Sequence, residues 1–281
     1  MTEVLQRVVQ VRVGAPGKSG KLVGNADDGG FGLHVKFSTK AAAVGRPAEC
    51  SLSMWNLRDD TIDLFNRGEN AVSIKAGYLN ASVHTIFTGN PTKDTLSVRK
   101  SQGDWITSVT LRDGGRAYDH GRMDVSFDGR TTGREVLDEI LRQTGLGEGQ
   151  VELGDFAWIR RYIHSGSARS ALDDLTRSIG PQHRWFIRDG NVFILGPNDV
   201  TQETAPVFSA ENGTLIGTPE PVEGGGIRFV GILDGTVRVG RKVRLESRRT
   251  TGWFKVVEVQ FKGDNFGGAF NVAIKGSKYE V

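Results

Sequence analysis

Two adjacent carboxylate pairs, Asp59-Asp60 and Asp173-Asp174, are the residues closest to an acid–base arrangement. Glycoside hydrolysis needs two carboxylates facing one cleft, with one of them held protonated. Both pairs fall on helical segments instead. Asp59-Asp60 suit a first helical turn, where the helix dipole favours acids. Asp173-Asp174 lie on the polar side of a helix whose apolar positions include Leu172 and Leu175, so both pairs read as solvated helix faces. The five histidines, His34, His84, His120, His164 and His183, have no His or Cys partner at metal-ligand spacing, and there is no HExxH. They read as solvated or hydrogen-bonded surface residues. No G-x-S-x-G elbow is present to support an esterase.

Nucleotide chemistry fares no better. Gly17-Lys18-Ser19 follows an apolar strand pattern, but a phosphate loop needs a glycine at position 12, where Arg12 stands, and a helix next. The following KLVGNADDGG reads as a loop. Gly145–Gly149 follows a helix where a dinucleotide loop follows a strand, and Gly224-Gly225-Gly226 reads as a turn before Ile227. The sequence therefore assigns no catalytic residue, no cofactor-binding residue and no metal ligand; the expected cofactors are none and the chain is expected not to be an enzyme. Trp55, Trp105, Trp158, Trp185 and Trp253 are dispersed in or beside apolar strand patterns and read as core or subunit-interface packing.

The elements around these residues are mostly strands. Apolar residues alternate at Val9, Val11 and Val13; at Phe31, Leu33, Val35 and Phe37; at Cys50, Leu52 and Met54; and at Val72, Ile74, Ala76 and Tyr78. Such period-two patterns bounded by turn residues predict half-buried strands. Further strands are expected at 83–88, 95–99 and 105–112, with one short helix over Asp59–Arg67. The last third alternates at Val237 and Val239, at Val243 and Leu245, at Phe254 and Val256, and then at Val257, Val259 and Phe261. Between these β blocks, a capping box at Thr132–Glu135 opens a helix near 132–144, and a second helix runs near 167–179 to Gly180-Pro181. Asp189-Gly190 within 185–195 predicts a type I′ hairpin. The expected fold is a β-dominated α+β one: two tube-like β-barrel or sandwich domains flanking a small α+β middle region. The expected boundaries are 1–118, 119–200 and 201–281.

Thirty-six basic and 33 acidic residues leave a net charge of +3, and no basic stripe with interleaved aromatics marks a nucleic-acid reader. Thirty-eight glycines with 8 prolines and no period indicate many tight turns. Cys50 is the only cysteine, so no intrachain disulfide can form, and it reads as a buried strand residue. No apolar run is long enough to span a bilayer and the first residues show no apolar signal region, so no membrane segment or signal peptide is expected.

The order of several motifs resembles one family, the baseplate hub proteins of tailed bacteriophages and related contractile injection machines. The first block carries CSLSMWNL (Cys50–Leu57), TIDLF (Thr61–Phe65), VSIKAGY (Val72–Tyr78), IFTGNP (Ile86–Pro91) and VTLRDGG (Val109–Gly115). The middle block carries Ser170–Leu195. The last carries LIGTP (Leu215–Pro219), GIL (Gly231–Leu233), VGRKVRLES (Val239–Ser247) and GDNFGG (Gly263–Gly268). The chain departs from the pattern in being short for a hub and in having Asp234-Gly235-Thr236 where a proline is expected.

The resemblance implies a homotrimer in which two tube-like domains per chain make a pseudo-sixfold ring. That ring would adapt a hexameric tail tube above to a trimeric spike below. Expected partners are further copies of the chain, the tail tube protein, the spike, the tape measure and other baseplate proteins. DNA would pass through the lumen without sequence-specific binding. The expected location is the virion tail baseplate, after synthesis and assembly in the bacterial host cytoplasm. Two other readings stand beside it: a distal tail or adsorption protein binding a host surface glycan, and a tail-associated peptidoglycan hydrolase.

Overall fold

The computed structural model describes residues 6–27, 30–79, 81–114, 122–153, 158–159, 161–201 and 205–279. Strands β1 (Arg7–Gly14) and β2 (Lys21–Gly24) make a hairpin around the Gly-Lys-Ser loop, so no helix follows that loop. Then come β3 (Val35–Ala42), β4 (Glu49–Trp55), helix α1 (Asp59–Asn66), β5 (Ala71–Tyr78), β6 (Val83–Pro91), β7 (Ser97–Ser101) and β8 (Asp104–Arg112). The middle of the chain holds β9 (Arg122–Phe127), β10 (Thr131–Thr132), helix α2 (Gly133–Thr144), β11 (Gly147–Val151), β12 (Trp158–Ile159), β13 (Tyr162–Ser167), helix α3 (Ala168–Ile179), β14 (Arg184–Arg188) and β15 (Asn191–Leu195). The last part is β16 (Val207–Ser209), β17 (Leu215–Val222), β18 (Gly226–Ile232), β19 (Lys242–Glu246), β20 (Thr251–Asp264) and β21 (Asn271–Tyr279). The fold is β-dominated α+β, as the sequence predicts.

Local chemistry explains the helix ends. Thr132 accepts the Glu135 N–H while the Glu135 carboxylate accepts the Thr132 N–H, and Gly145 closes α2 in the left-handed region. Ser167 and Ser170 make the same reciprocal pair at the start of α3. Asp189 and Gly190 both have positive φ, 52° and 75°, as a type I′ turn requires. The change of apolar phase between Val256 and Val257 is a β-bulge, seen as a register shift between Val256 and Glu258 against β21.

The two β blocks do not stand apart. Strand β20 pairs with β3 from Asp264↔Lys36 to Glu258↔Ala42, joining first and last blocks in one sheet. The result is an antiparallel run of eight strands, β7-β8-β4-β3-β20-β21-β18-β17, four from each block. One hydrophobic cluster serves both blocks, from Val9, Leu52 and Leu111 to Phe229, Phe261 and Ile274. A second cluster lies in the middle region, where Val136, Leu137 and Ile140 of α2 meet Ala171, Leu172 and Leu175 of α3. The β14–β15 hairpin is buried on both sides. Trp185, Ile187, Val192 and Ile194 face the helices, while Phe186, Phe193 and Leu195 enter the larger core. Burial on two faces explains why its strands read as unbroken apolar runs.

Three expectations need correction. The alternation at Phe31 and Leu33 is not strand: β3 starts at Val35, and Phe31 is 94% exposed. Val237 and Val239 are buried but lie in turns, organised by Asp234, whose carboxylate accepts the Thr236 N–H and hydroxyl. His164 is not a surface residue; it is buried between Asp174 and the Ser167 carbonyl. His120, Gly115 and the Trp158 side chain lie outside the described residues.

Candidate functional site: a polar sheet face with two open edges

The eight-stranded run has one face against the core, and alternation puts every second residue on the other. On that outer face β3 presents Lys36, Ser38 and Lys40; β4 presents Glu49, Ser51 and Ser53; and β20 presents Glu258, Gln260 and Lys262. Register aligns them, Gln260 opposite Lys40 and Ser51 opposite Ser38 and Thr110. Ser53 and Ser108 hydroxyls are 3.1 Å apart, and Gln260 donates to the Ser38 hydroxyl at 3.3 Å. The face is thus a band of short hydroxyl and amide groups with charges around it. Ion pairs Lys40–Glu258 and Arg112–Glu49 sit toward the end where β3 turns into β4.

At the opposite rim, His34 stacks on Trp55 with centroids 3.8 Å apart and meets Phe266 at 4.9 Å. The Asp264 carboxylate holds this rim: it lies 2.9 Å from the His34 ring and accepts the N–H groups of Phe266 and Gly267. The tryptophans do not share one platform. Trp185 is core, Trp55 is covered by His34, Trp253 lies beside Lys242 and Arg244, and Trp105 stands on the opposite side of β8 from the polar face.

The two ends of the run differ from its middle. Among the described residues, β7 and β17 each pair on one side only, and both expose most of their length. Pro219 and Pro221 lie in β17, where a missing N–H is tolerated at an edge.

The middle region is fastened to the sheet at a charged junction. Asp113, at the end of β8 and 4% exposed, accepts the N–H groups of Asp189 at 2.7 Å and Gly190 at 3.0 Å. Burial pushes its carboxyl up to about 7, against the pull of the Gly190 hydrogen bond. Arg238 and Arg188 share this junction; burial draws Arg238 down to about 10 and lowers Arg188 as well. They line a cavity of about 40 Å³ with Asp113, Phe87, Phe186 and Phe261. Nearby, Gly45 donates to the Trp185 carbonyl and the Trp185 indole donates to Asp173 at 2.7 Å. Lys255, lowered by burial, donates to the Gly196 carbonyl.

Three of the four carboxylates singled out in the sequence are therefore fasteners. Asp173 holds Trp185 and Asp174 holds His164 and Arg177, while Asp60 pairs with Lys21. Among the described residues no group of three or more His, Cys, Asp or Glu is placed to hold a metal ion. Cys50 is fully buried on β4. No described helix is long and apolar enough to cross a membrane. Sequence reading missed Asp113, whose partners are backbone N–H groups 76 and 77 residues away. It also missed the outer face, which exists only once β3 and β20 are paired.

The sequence matches no protein-family model and no curated protein. Its likeness is in the fold. A tail protein from Neisseria meningitidis MC58 superposes with a TM-score of 0.67 at 11% identity, covering 97% of this chain and 96% of that one. The 43 kDa tail protein of prophage MuSo2 from Shewanella oneidensis gives 0.66 at 9% identity, covering 96% and 98%. An E. coli component of the type VI secretion system, described as structurally similar to the T4 bacteriophage tail proteins gp27 and gp5, gives 0.63 at 10% identity, covering 96% and 77%. The fold of this chain is that of phage tail proteins and a related type VI secretion component, in agreement with the resemblance to baseplate hubs.

Proposed function

We propose that this chain is a structural hub of a phage tail or related injection machine, and not an enzyme. Three copies join β7 of one chain to β17 of the next and close into a ring. Each chain brings four strands from each of its two β blocks, so the ring has six similar units. That number matches a hexameric tail tube on one side, and the threefold symmetry matches a trimeric spike on the other. The outer polar face becomes the wall of the channel, and the middle region lies at the end of the sheet where β3 turns into β4. The carrying observation is the eight-stranded run itself, continuous through both blocks, polar along one face and open at both ends. Unpaired edges are templates for further strands, and a closed ring removes them.

Light scattering on the purified chain tests this. A mass near three times the 30.6 kDa of one chain supports the ring. A mass of one chain, unchanged when the neighbouring tail proteins are co-expressed, speaks against it.

A further inference from the structure

The turn between β3 and β4 stands between two open clefts. Val44, 58% exposed, is the ridge that they share. The turn is held from both sides: Ala43 donates to the Val257 carbonyl at 2.9 Å and Gly45 to the Trp185 carbonyl at 3.1 Å. Gly45 has a φ of 63°, and a Cβ there would meet the Trp185 ring at 3.0 Å and an Asp173 carboxylate oxygen at 3.1 Å. Glycine lets the turn press this closely on the middle region. The ridge is thus set in place before any partner arrives, which lowers the cost of binding.

Cations outnumber anions in both clefts. The first, of about 460 Å³, has Lys40, Arg46, Arg112 and Arg169 against Glu49 and Glu258. The second, of about 430 Å³, has Arg177 and Arg184 against Asp173, with His183 beside them. Both volumes are in the usual range of ligand clefts. The anions are engaged: Glu49 with Arg112, Glu258 with Lys40, and Asp173 with the Trp185 indole and, at 3.6 Å, with Arg169. Arg177 is held by Asp174. Two exposed arginines have no carboxylate among the described residues. Arg46 makes no ion pair there, and Arg184 donates to the Pro181 and His183 carbonyls. Arg46 and Lys40 also border the enclosed junction cavity, where Arg188 and Arg238 meet Asp113 and Asp189.

We propose that these clefts receive an acidic peptide segment of a partner protein, whose carboxylates meet Arg46 on one side of Val44 and Arg184 on the other. A guanidinium presents a planar pair of donors that fits a carboxylate bidentately. Apolar residues of the segment lie on Val44, Pro47 and Pro181. A phosphodiester chain fits less well, because its charge is continuous and Glu49, Glu258 and Asp173 repel it between the arginines. The site belongs to the single chain and does not depend on ring closure.

The test is fluorescence anisotropy of a labelled peptide of alternating Glu and Ala, titrated with the full chain in 50 mM NaCl. The wild type is expected to bind it and not to bind the matching Gln-Ala peptide. Arg46→Gln and Arg184→Gln should each weaken binding about tenfold or more, the worth of one hydrogen-bonded charge contact. A control with Arg58→Gln/Arg67→Gln, exposed arginines at the two ends of α1, removes more charge and should stay within twofold of wild type. Circular dichroism checks that every variant folds. Absence of Glu-Ala binding, a loss in Arg46→Gln and Arg184→Gln no greater than in the control, or tighter binding of an oligonucleotide of equal charge would overturn the assignment. The solution mass of each protein is read in parallel. Binding by a chain that forms no ring keeps the site and counts against the hub; a ring without binding does the reverse.

Discussion

Asp113→Ala is expected to release the β14–β15 hairpin from the sheet and to cost about 2–6 kcal/mol. The carboxylate is the acceptor for two N–H groups of the hairpin turn, and each buried donor left without a partner costs about 1–3 kcal/mol. Urea unfolding measures the loss, and hydrogen exchange locates it: protection should fall first across Asp189–Leu195. An unchanged midpoint would show that water replaces the carboxylate at no cost. The same residue sets a pH dependence. Its folded pKa is raised to about 7, above the unfolded value of 3.8, because burial disfavours the carboxylate. The folded state therefore holds the proton more tightly. Stability from this group is fully present below about pH 4 and is lost as pH rises through 7. Moving the carboxyl from 3.8 to about 7 corresponds to at most about 4 kcal/mol. Asp189 and Arg188 act on it directly, and Arg238, Arg46 and Lys40 line the same cavity. Asp113→Asn cannot ionise, so subtracting its pH–stability curve from that of the wild type isolates the effect. The difference should slope downward between pH 4 and 7; a flat difference would contradict this account of the junction.

Phe261→Ala is expected to cost about 3–5 kcal/mol, the usual range for deleting a buried aromatic ring. Phe261 is 2% exposed on β20, pairs with Thr39 of β3 and Val272 of β21, and has the Arg238 guanidinium 6.0 Å from its ring centroid. It stands where the first and last β blocks share one core. The loss should therefore lower hydrogen-exchange protection in β3 and β4 as much as in β20 and β21, within a single unfolding transition. Loss confined to the last block would show that the blocks unfold independently.

How much of this could be seen beforehand depended on range along the chain. The Thr132–Glu135 capping box, the Asp189-Gly190 turn and the phase change at Val256-Val257 are local, decided by dihedral preference and by neighbours a few residues away. The pairing of β20 with β3 joins residues more than 200 positions apart, and period-two alternation carries no record of which strand lies beside which. The outer face is a product of that pairing: Lys36 and Lys262 are ordinary exposed lysines until register places Lys262 opposite Ser38. Alternation also misled twice. Phe31 and Leu33 continue the β3 pattern outward without backbone partners, and Val237 and Val239 are buried by side-chain turns at Asp234 that sequence period does not encode. The two faces of the β14–β15 hairpin were legible as apolar runs, but not which core each face joins.

The head-to-tail closure of β7 onto β17 is tested most directly by cross-linking. Arg99→Cys on β7 and Ile216→Cys on β17 place one thiol on each open edge, on the same side of the sheet. Cys50 is fully buried and its thiol is pushed well above the usual range by that burial, so it contributes no background. A short bifunctional maleimide is added to the double variant, alone and co-expressed with the neighbouring tail proteins. The account predicts a denaturing-gel ladder that stops at three chains, with neither single variant giving it. A ladder running past three chains, or no cross-link under either condition, would contradict a closed three-chain ring.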